Sequence, residues 1–184
     1  MARASTQPLT AEEFFALSFP DSRTELVRGE VVWMSPANAE HGVIAMRIGA
    51  RLHAFVESHG LGAVCAAETG FLLGRDPDTV RAPDAAFVSC QRIGAGPPPR
   101  TFWPFAPDLA VEVVSPSARA RGLEESVRDW FAGGARRVCL LYPQSGTVHV
   151  FRSPSEVQVL GSGEMLSGED VLPGFSCAVA ALFE

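Results

Sequence analysis

The sequence predicts a mixed α/β fold, in which helices cover the faces of a mixed sheet. A helical pattern over residues 40–58 is followed by several short strand patterns, and a second helical pattern over residues 119–131 is followed by a further strand. This order of elements is typical of a sheet with helices packed on its faces. A chain of 184 residues can bury a sizeable core, so we predict one domain over residues 1–184.

The first predicted elements are a short helix and a hairpin. Thr10 and Glu13 have the spacing of a capping box, which predicts a helix over Ala11–Leu17. Two stretches with strand-forming residues follow, with Arg28-Gly29 between them as a turn. The predictions for this region are a loose arm over residues 1–8, the helix, a break at Pro20-Asp21, and strands over residues 25–27 and 30–34.

The longest helix pattern lies in the middle of the first half. Ile44, Ile48 and Leu52 recur at helical spacing, and Gly60 stands where a C-terminal stop is expected. Short apolar runs bounded by turn residues then predict strands. In order, these are strands over residues 62–66 and 69–73, a turn at residues 76–78, a strand over residues 80–88 and a flexible loop over residues 94–99.

The second half contains the predicted centre of the sheet. Residues 109–114 are apolar except for Glu112, as is typical of a central strand that is covered on both faces. The helix over residues 119–131 places Leu123, Val127 and Trp130 on one face and is stopped by Gly133-Gly134. The remaining predictions are a strand over residues 137–142, a small antiparallel extension over residues 147–152 and 157–160, and a final edge element over residues 171–175.

Composition excludes several classes of protein. The net charge is −6, which counts against a non-specific nucleic-acid binder with a basic surface. No apolar run is long enough to span a bilayer and the N-terminus lacks the apolar region of a signal peptide, so we expect no membrane segment and a cytoplasmic location. The four cysteines are scattered without a CxxC spacing, so neither a zinc site nor a disulfide framework is expected.

Two carboxylates in strand-like segments are the main candidates for a functional site. Asp84 follows Pro83 at the start of an apolar run, and Glu112 lies inside another. A carboxylate in a buried strand is costly unless it is paired, hydrogen-bonded or bound to a metal. An ion pair with an arginine and a shared Mg²⁺ that activates water both remain open for these acids. Asp108 is about 13 Å from Glu112 along a strand, too far to share one ion.

Three further residues are weaker candidates. Glu25 and Glu68 adjoin predicted strands, where each could be a third ligand or support a ligand, although the pattern favours a surface position for both. His41 lies near the start of the long helix, where it could contact phosphate, assist a proton transfer or simply occupy the surface.

Several stretches in this order resemble the PD-(D/E)XK nuclease superfamily, and more narrowly a large bacterial family of restriction-endonuclease-like proteins. The stretches are residues 23–30, Ser35-Pro36 with His41-Gly42, residues 79–84, residues 107–117 and residues 171–175. The resemblance implies an αβββαβ core and phosphodiester hydrolysis with Mg²⁺, or with Mn²⁺. It also implies metal binding by Asp84, Glu112 and the carbonyl of Val113, a nucleic-acid partner that is DNA rather than RNA, and a homodimer.

The chain departs from this resemblance because it contains no lysine; all 15 basic residues are arginine. The two positions at which the resemblance implies a lysine are Val114 and Ser126. On a regular helix Arg119 projects within about 20° of Ser126, so it is the best replacement cation. Its guanidinium could hold phosphate but does not readily lose a proton. A slow Mg²⁺ nuclease, an inactive nuclease fold that binds metal, and an interaction module therefore remain open.

Overall fold

The structure is a computed structural model that describes residues 7–17, 19 and 23–184. Residues 1–6 of the predicted arm and the predicted break at Pro20-Asp21 lie outside the described residues. The helices are α1 (Ala11–Ala16), α2 (Ala39–His59), α3 (Cys90–Ile93), α4 (Ala120–Ala132) and α5 (Ala180–Phe183). The strands are β1 (Arg23–Val27), β2 (Glu30–Met34), β3 (Gly62–Ala66), β4 (Phe71–Gly74), β5 (Thr79–Arg81), β6 (Ala85–Ser89), β7 (Leu109–Val113), β8 (Arg137–Tyr142), β9 (Thr147–Ser153), β10 (Glu156–Leu160), β11 (Met165–Ser167) and β12 (Ser176–Ala178).

The larger sheet has the strand order β10-β9-β8-β7-β6-β3, in which β7 and β8 are parallel and the other pairs are antiparallel. A smaller sheet has the order β2-β1-β5-β4, and β11 pairs with β12. The elements α2, β3, β6, β7, α4 and β8 form the αβββαβ core, with β9 and β10 as the antiparallel extension. The mixed α/β fold class and the predicted αβββαβ order of the core are confirmed.

Helices pack on both faces of the larger sheet. On one face, the buried apolar side of α2 packs against Leu109, Val111 and Val113 of β7. On the other face, Val127 and Trp130 of α4 lie in the cluster that contains Ala110. Side chains alternate between the faces of a strand, so Glu112 lies on the α4 face. This double cover explains why the β7 sequence is almost continuously apolar.

The predicted strand over residues 80–88 is wrong, because this segment forms two strands in different sheets. β5 ends at Arg81 in the smaller sheet, and β6 begins at Ala85 in the larger sheet. Pro83 has no N–H group to donate to a ladder, so a regular strand cannot continue through it. The break carries the chain from one sheet to the other and places Asp84 at the crossing.

Other boundaries also differ from the prediction. The strand expected over residues 69–73 is β4, which begins two residues later, and the short helix α3 was not predicted. The predicted edge element over residues 171–175 is a turn between β11 and β12, where Leu172 and Phe175 are buried. Its backbone N–H groups bond within the turn, from Leu172 to Gly168 and from Phe175 to Leu172, so it does not pair as a strand.

The helix ends follow the capping residues. Thr10 and Glu13 form the predicted capping box of α1. Asn38 caps α2 by accepting a hydrogen bond from the backbone N–H of His41, and Gly60 ends that helix with a left-handed conformation (φ 61°) that glycine adopts without strain. Within the described residues, no helix combines the length and the apolar character needed to cross a membrane.

Candidate active site

Asp84 and Glu112 lie next to each other on paired strands. β6 and β7 are antiparallel and pair Ala85 with Val111. Asp84, which directly precedes Ala85, therefore lies opposite Glu112, which directly follows Val111. The backbone N–H of Asp84 donates to the carbonyl of Val111 over 3.0 Å, and the backbone N–H of Val113 donates to Asp84 Oδ2 over 2.8 Å. The ladder therefore fixes Asp84 beside Glu112, which is the neighbouring arrangement that the sequence predicted.

The Asp84 carboxylate is held by cationic and neutral donors. Its Oδ2 lies 3.1 Å from Nε2 of His41, in the first turn of α2. Its Oδ1 lies 3.5 Å from Nη2 of Arg23, at the start of β1. Both neighbours come from elements distant in sequence, so only the fold brings them to Asp84. His41 therefore lies beside Asp84.

The Glu112 carboxylate is held by two residues of α4. The hydroxyl of Ser126 donates to Glu112 Oε1 over 2.6 Å, and the indole N–H of Trp130 donates to the same oxygen. These residues are four apart and share one face of the helix. Sequence reasoning placed Trp130 in the core and missed this contact. The only available signal was that a buried indole N–H usually finds an acceptor.

Glu25 belongs to a buried ionic group beside Glu112. Nη1 of Arg81 donates to Glu25 Oε2 over 2.8 Å, and Nε and Nη2 of Arg81 donate to Asp129 Oδ2 over 2.9 and 2.6 Å. Burial raises the pKa of Glu25 and the neighbouring Glu112 acts in the same direction, whereas Arg81 opposes both. Although burial lowers the pKa of Arg81, the carboxylates of Glu25 and Asp129 raise it above its ordinary value.

Arg81 and Asp129 were missed by sequence reasoning. Arg81 lies at an inward position of β5, and its side chain is only 10% exposed. A buried arginine needs carboxylate partners, and these come from β1 and α4. The sequence signal was an arginine inside a strand pattern three residues before Asp84, but it does not identify the partners.

Asp84, Glu112, Glu25 and Asp129 form the central carboxylate group. Two predicted residues do not lie in this group. The side chain of Glu68 is 69% exposed and lies 3.7 Å from Nε of Arg23. Arg119 has extended backbone angles as the N-cap of α4, so it is outside the helix, and it is exposed. The prediction that Arg119 projects beside Ser126 is therefore wrong, because it assumed helical geometry. Arg119 nevertheless lines the same cleft as Asp84, Glu112 and Ser126.

The central group opens into a cleft of about 660 Å³ between β2, β7 and α4. An adjoining groove of about 980 Å³ runs along α2 and has a mostly apolar lining. Arg23, His41 and Asp84 line both spaces, so these residues separate the acidic cleft from the apolar groove. Asp84 and Glu112 both line the cleft, so it leads to both candidate carboxylates.

The donor set suits a hard divalent cation. Asp84 and Glu112 supply carboxylate oxygens, which are the ligands that Mg²⁺ prefers, and such an ion keeps several waters of its own. Val113 also lines the cleft between them. In the part of the chain that the structure describes, no group of three or more His, Cys, Asp or Glu side chains is arranged to hold a metal. A metal in this cleft would therefore rest on the carboxylates of Asp84 and Glu112, with water as its other ligands.

A comparison with protein families decides which family this fold and site belong to. The model described as "Uma2: Putative restriction endonuclease" matches residues 11–180. The chain belongs to the Uma2 family. A search of curated proteins found no match. Among solved structures, the chain is similar to "a putative nuclease belonging to DUF820" from Anabaena variabilis, with a TM-score of 0.83 and 19% identity over 96% of this chain and 98% of that chain.

This Uma2 chain has neutral residues at both positions where its sequence resemblance implies a lysine. Val114 packs against the apolar cluster beneath α4. Ser126 lies on α4 and contacts Glu112 with a hydroxyl rather than an ammonium group. Arg81 is a buried cation that lines the same cleft, but its Nε and both terminal nitrogens already donate to Glu25 or Asp129.

Proposed function

We propose that this Uma2 protein is a metal-dependent nuclease that hydrolyses phosphodiester bonds with Mg²⁺ or Mn²⁺. The observation that carries the proposal is the placement of Asp84 and Glu112 at adjacent positions of paired strands, facing one open cleft. Membership of a family described as "Putative restriction endonuclease", and a fold shared with a protein described as "a putative nuclease", support the same chemistry.

Asp84, Glu112 and the carbonyl of Val113 are the groups that would hold the metal. When bound, the ion supplies an activated water and neutralises charge on the phosphodiester. Nε2 of His41 lies 3.1 Å from Asp84 Oδ2, so His41 would hold this carboxylate in place from α2. Arg23 contacts its two acids at 3.5 and 3.7 Å, so its guanidinium can turn to a phosphate in the cleft.

The proposed enzyme is slow, because the cleft lacks the ammonium group that the resemblance implies. The Ser126 hydroxyl can donate a hydrogen bond but carries no charge. Removing one electrostatic donor from an active site typically costs about 10²–10³ in rate. We therefore expect weak cleavage that is stimulated by Mn²⁺ or Mg²⁺.

The proposal includes DNA as the preferred nucleic acid and a homodimer as the assembly. The DNA preference follows the resemblance of the sequence alone. The homodimer is supported by β2, an edge strand on which Val32, Trp33 and Met34 are consecutive exposed apolar residues. Edge strands of this kind are usually covered by a partner or protected by charge.

Cleavage assays on isosteric variants test the proposal. Wild type, Asp84→Asn and Glu112→Gln would be incubated with single-stranded DNA, duplex DNA and RNA, with Mg²⁺, Mn²⁺ or chelator. Glu124→Gln is the matched control, because Glu124 lies on the exposed face of α4 and pairs only with nearby Arg128 in the described structure. We expect cleavage by wild type and the control that both site variants lose. Equal cleavage by all four proteins contradicts this active site.

The alternative is an inactive nuclease fold that acts as a metal-binding or protein-interaction module. The neutral Ser126 at the carboxylate favours it, as does the engagement of Glu112 by donors of the protein itself. Calorimetric titration with Mg²⁺ and Mn²⁺ separates the two functions. Metal binding that both site variants lose, without cleavage of any nucleic acid, identifies the metal-binding module. Absence of both metal binding and cleavage leaves the interaction module.

A further inference from the structure

Trp130 contacts a proposed metal ligand from a fully buried position. Its relative exposure is 0%, so it cannot touch a substrate in the cleft. Its indole N–H nevertheless donates to Glu112 Oε1. Any influence of Trp130 on chemistry must therefore pass through the Glu112 carboxylate.

Both hydrogen-bond donors to Glu112 contact the same carboxylate oxygen. Ser126 and Trp130 both donate to Oε1, and both belong to consecutive turns of α4. A carboxylate that accepts two donors on one oxygen loses rotational freedom and keeps the lone pairs of the other oxygen for a ligand. Donors of this kind behind a metal ligand fix its orientation, and their removal typically costs about 10–100-fold in metal affinity.

The position of the Trp130 ring is itself fixed by packing. Its ring lies edge-on to Phe71, with 6.1 Å between the ring centroids. Val127 and Leu140 belong to the same buried cluster. Packing therefore fixes the direction of the Trp130 indole N–H, which points at Glu112.

We propose that Trp130 is a positioning residue that holds Glu112 by Oε1 and so presents Oε2 to a divalent cation in the cleft. This inference rests on the proposed function, because it takes Glu112 as a metal ligand. Ser126 supplies the second hydrogen bond to the same oxygen. The fixed orientation compensates in part for the small number of ligands that the protein contributes.

The contact itself is tested without metal or activity. The three tryptophans give separate indole ¹H–¹⁵N signals, and Glu112→Gln replaces the charged acceptor by a neutral one. A hydrogen bond to a carboxylate is shorter and stronger than one to an amide oxygen. We expect Glu112→Gln to move the Trp130 signal to lower proton frequency and to leave the Trp103 signal in place. An unmoved Trp130 signal overturns the proposal even if other variants fail to fold.

The positioning role is tested by Mg²⁺ affinity. Trp130→Phe removes the N–H but keeps a ring against Phe71, and Trp103→Phe is the matched control, since Trp103 also contacts Phe71 from a buried position. We expect Mg²⁺ to bind about tenfold more weakly to Trp130→Phe, and Trp103→Phe to match wild type. Equal affinity of both variants overturns this inference alone. Absence of Mg²⁺ binding by wild type overturns the proposed metal-dependent function and this inference with it.

Discussion

The hydroxyl of Ser126 lies 2.6 Å from Oε1 of Glu112 and donates a hydrogen bond to it. Position 126 is therefore within reach of the carboxylate from the neighbouring helix. A serine there supplies a neutral donor where the sequence resemblance implies a cation. The chain has no lysine, and at this position of the candidate site Glu112 Oε1 therefore accepts a hydrogen bond from a hydroxyl group.

We expect Ser126→Lys to raise the rate of nucleic-acid cleavage by about tenfold or more, since one electrostatic group is worth about 10²–10³ in many active sites. Ser126 lines the cleft of about 660 Å³, so a lysine at this position would be placed at the same cleft as Asp84 and Glu112. Initial rates with a fluorescent DNA substrate would measure the effect. Ser126→Met is the control of similar length without charge, and equal rates for the two variants would refute the role of an ammonium group at position 126.

Arg81→Met is expected to destabilise the protein by about 3–5 kcal/mol, because it leaves the carboxylates of Glu25 and Asp129 buried without their cation. Chemical denaturation monitored by circular dichroism gives the free energy of unfolding. Arg28→Met serves as the control, since Arg28 is 55% exposed and lies 4.0 Å from Asp129. Exposed ion pairs contribute about 0–1 kcal/mol to stability. A similar loss of unfolding free energy in both variants would therefore contradict the prediction that the buried ion pairs of Arg81 contribute more than the exposed pair of Arg28.

The raised pKa of Glu25 predicts that the stability of the protein depends on pH. Its folded-state pKa is raised by burial, so the folded protein binds this proton more tightly than the unfolded chain does. The stabilising contribution is complete below the unfolded value of about 4.5 and is lost as pH rises through the raised folded pKa. Stability in chelator should therefore fall over that window in wild type. Glu25→Gln should lack this component, and an identical pH profile for both proteins would rule out the shift.

The proposed homodimer predicts that Trp33→Lys shifts the mass measured by light scattering from dimer to monomer. Trp33 is 62% exposed on the edge strand β2, and a lysine there places charge against a pairing partner. Val159→Lys is the comparison, because Val159 is also exposed on an edge strand, β10. Dissociation by Val159→Lys but not by Trp33→Lys would place the interface on the other edge.

Local patterns determined most elements of this fold. The capping box at Thr10, the apolar spacing of α2 and the continuous apolar run of β7 depend on near neighbours in the chain, so the sequence predicts them. The same patterns failed where a tertiary choice was needed. The run over residues 80–88 has strand-forming residues throughout, yet Pro83 divides it between two sheets.

For the candidate site too, the sequence predicted one part and the tertiary structure decided the rest. The sequence alone singled out Asp84 and Glu112, because a carboxylate in an apolar strand needs a partner wherever the strand lies. Only the tertiary structure decided what those partners are. His41 and Arg23 reach Asp84 from other elements, and Ser126 and Trp130 reach Glu112 from α4.

Arg81 and Arg119 show the physical reason for this division. Both are arginines, and sequence reasoning favoured Arg119 because it assumed that α4 began one residue earlier. The structure instead leaves Arg119 exposed at the N-cap and buries Arg81 between Glu25 and Asp129. The sequence determined which charges the chain carries. Long-range packing alone decided which of them are buried together, because burial and ion pairing depend on residues more than 40 positions apart.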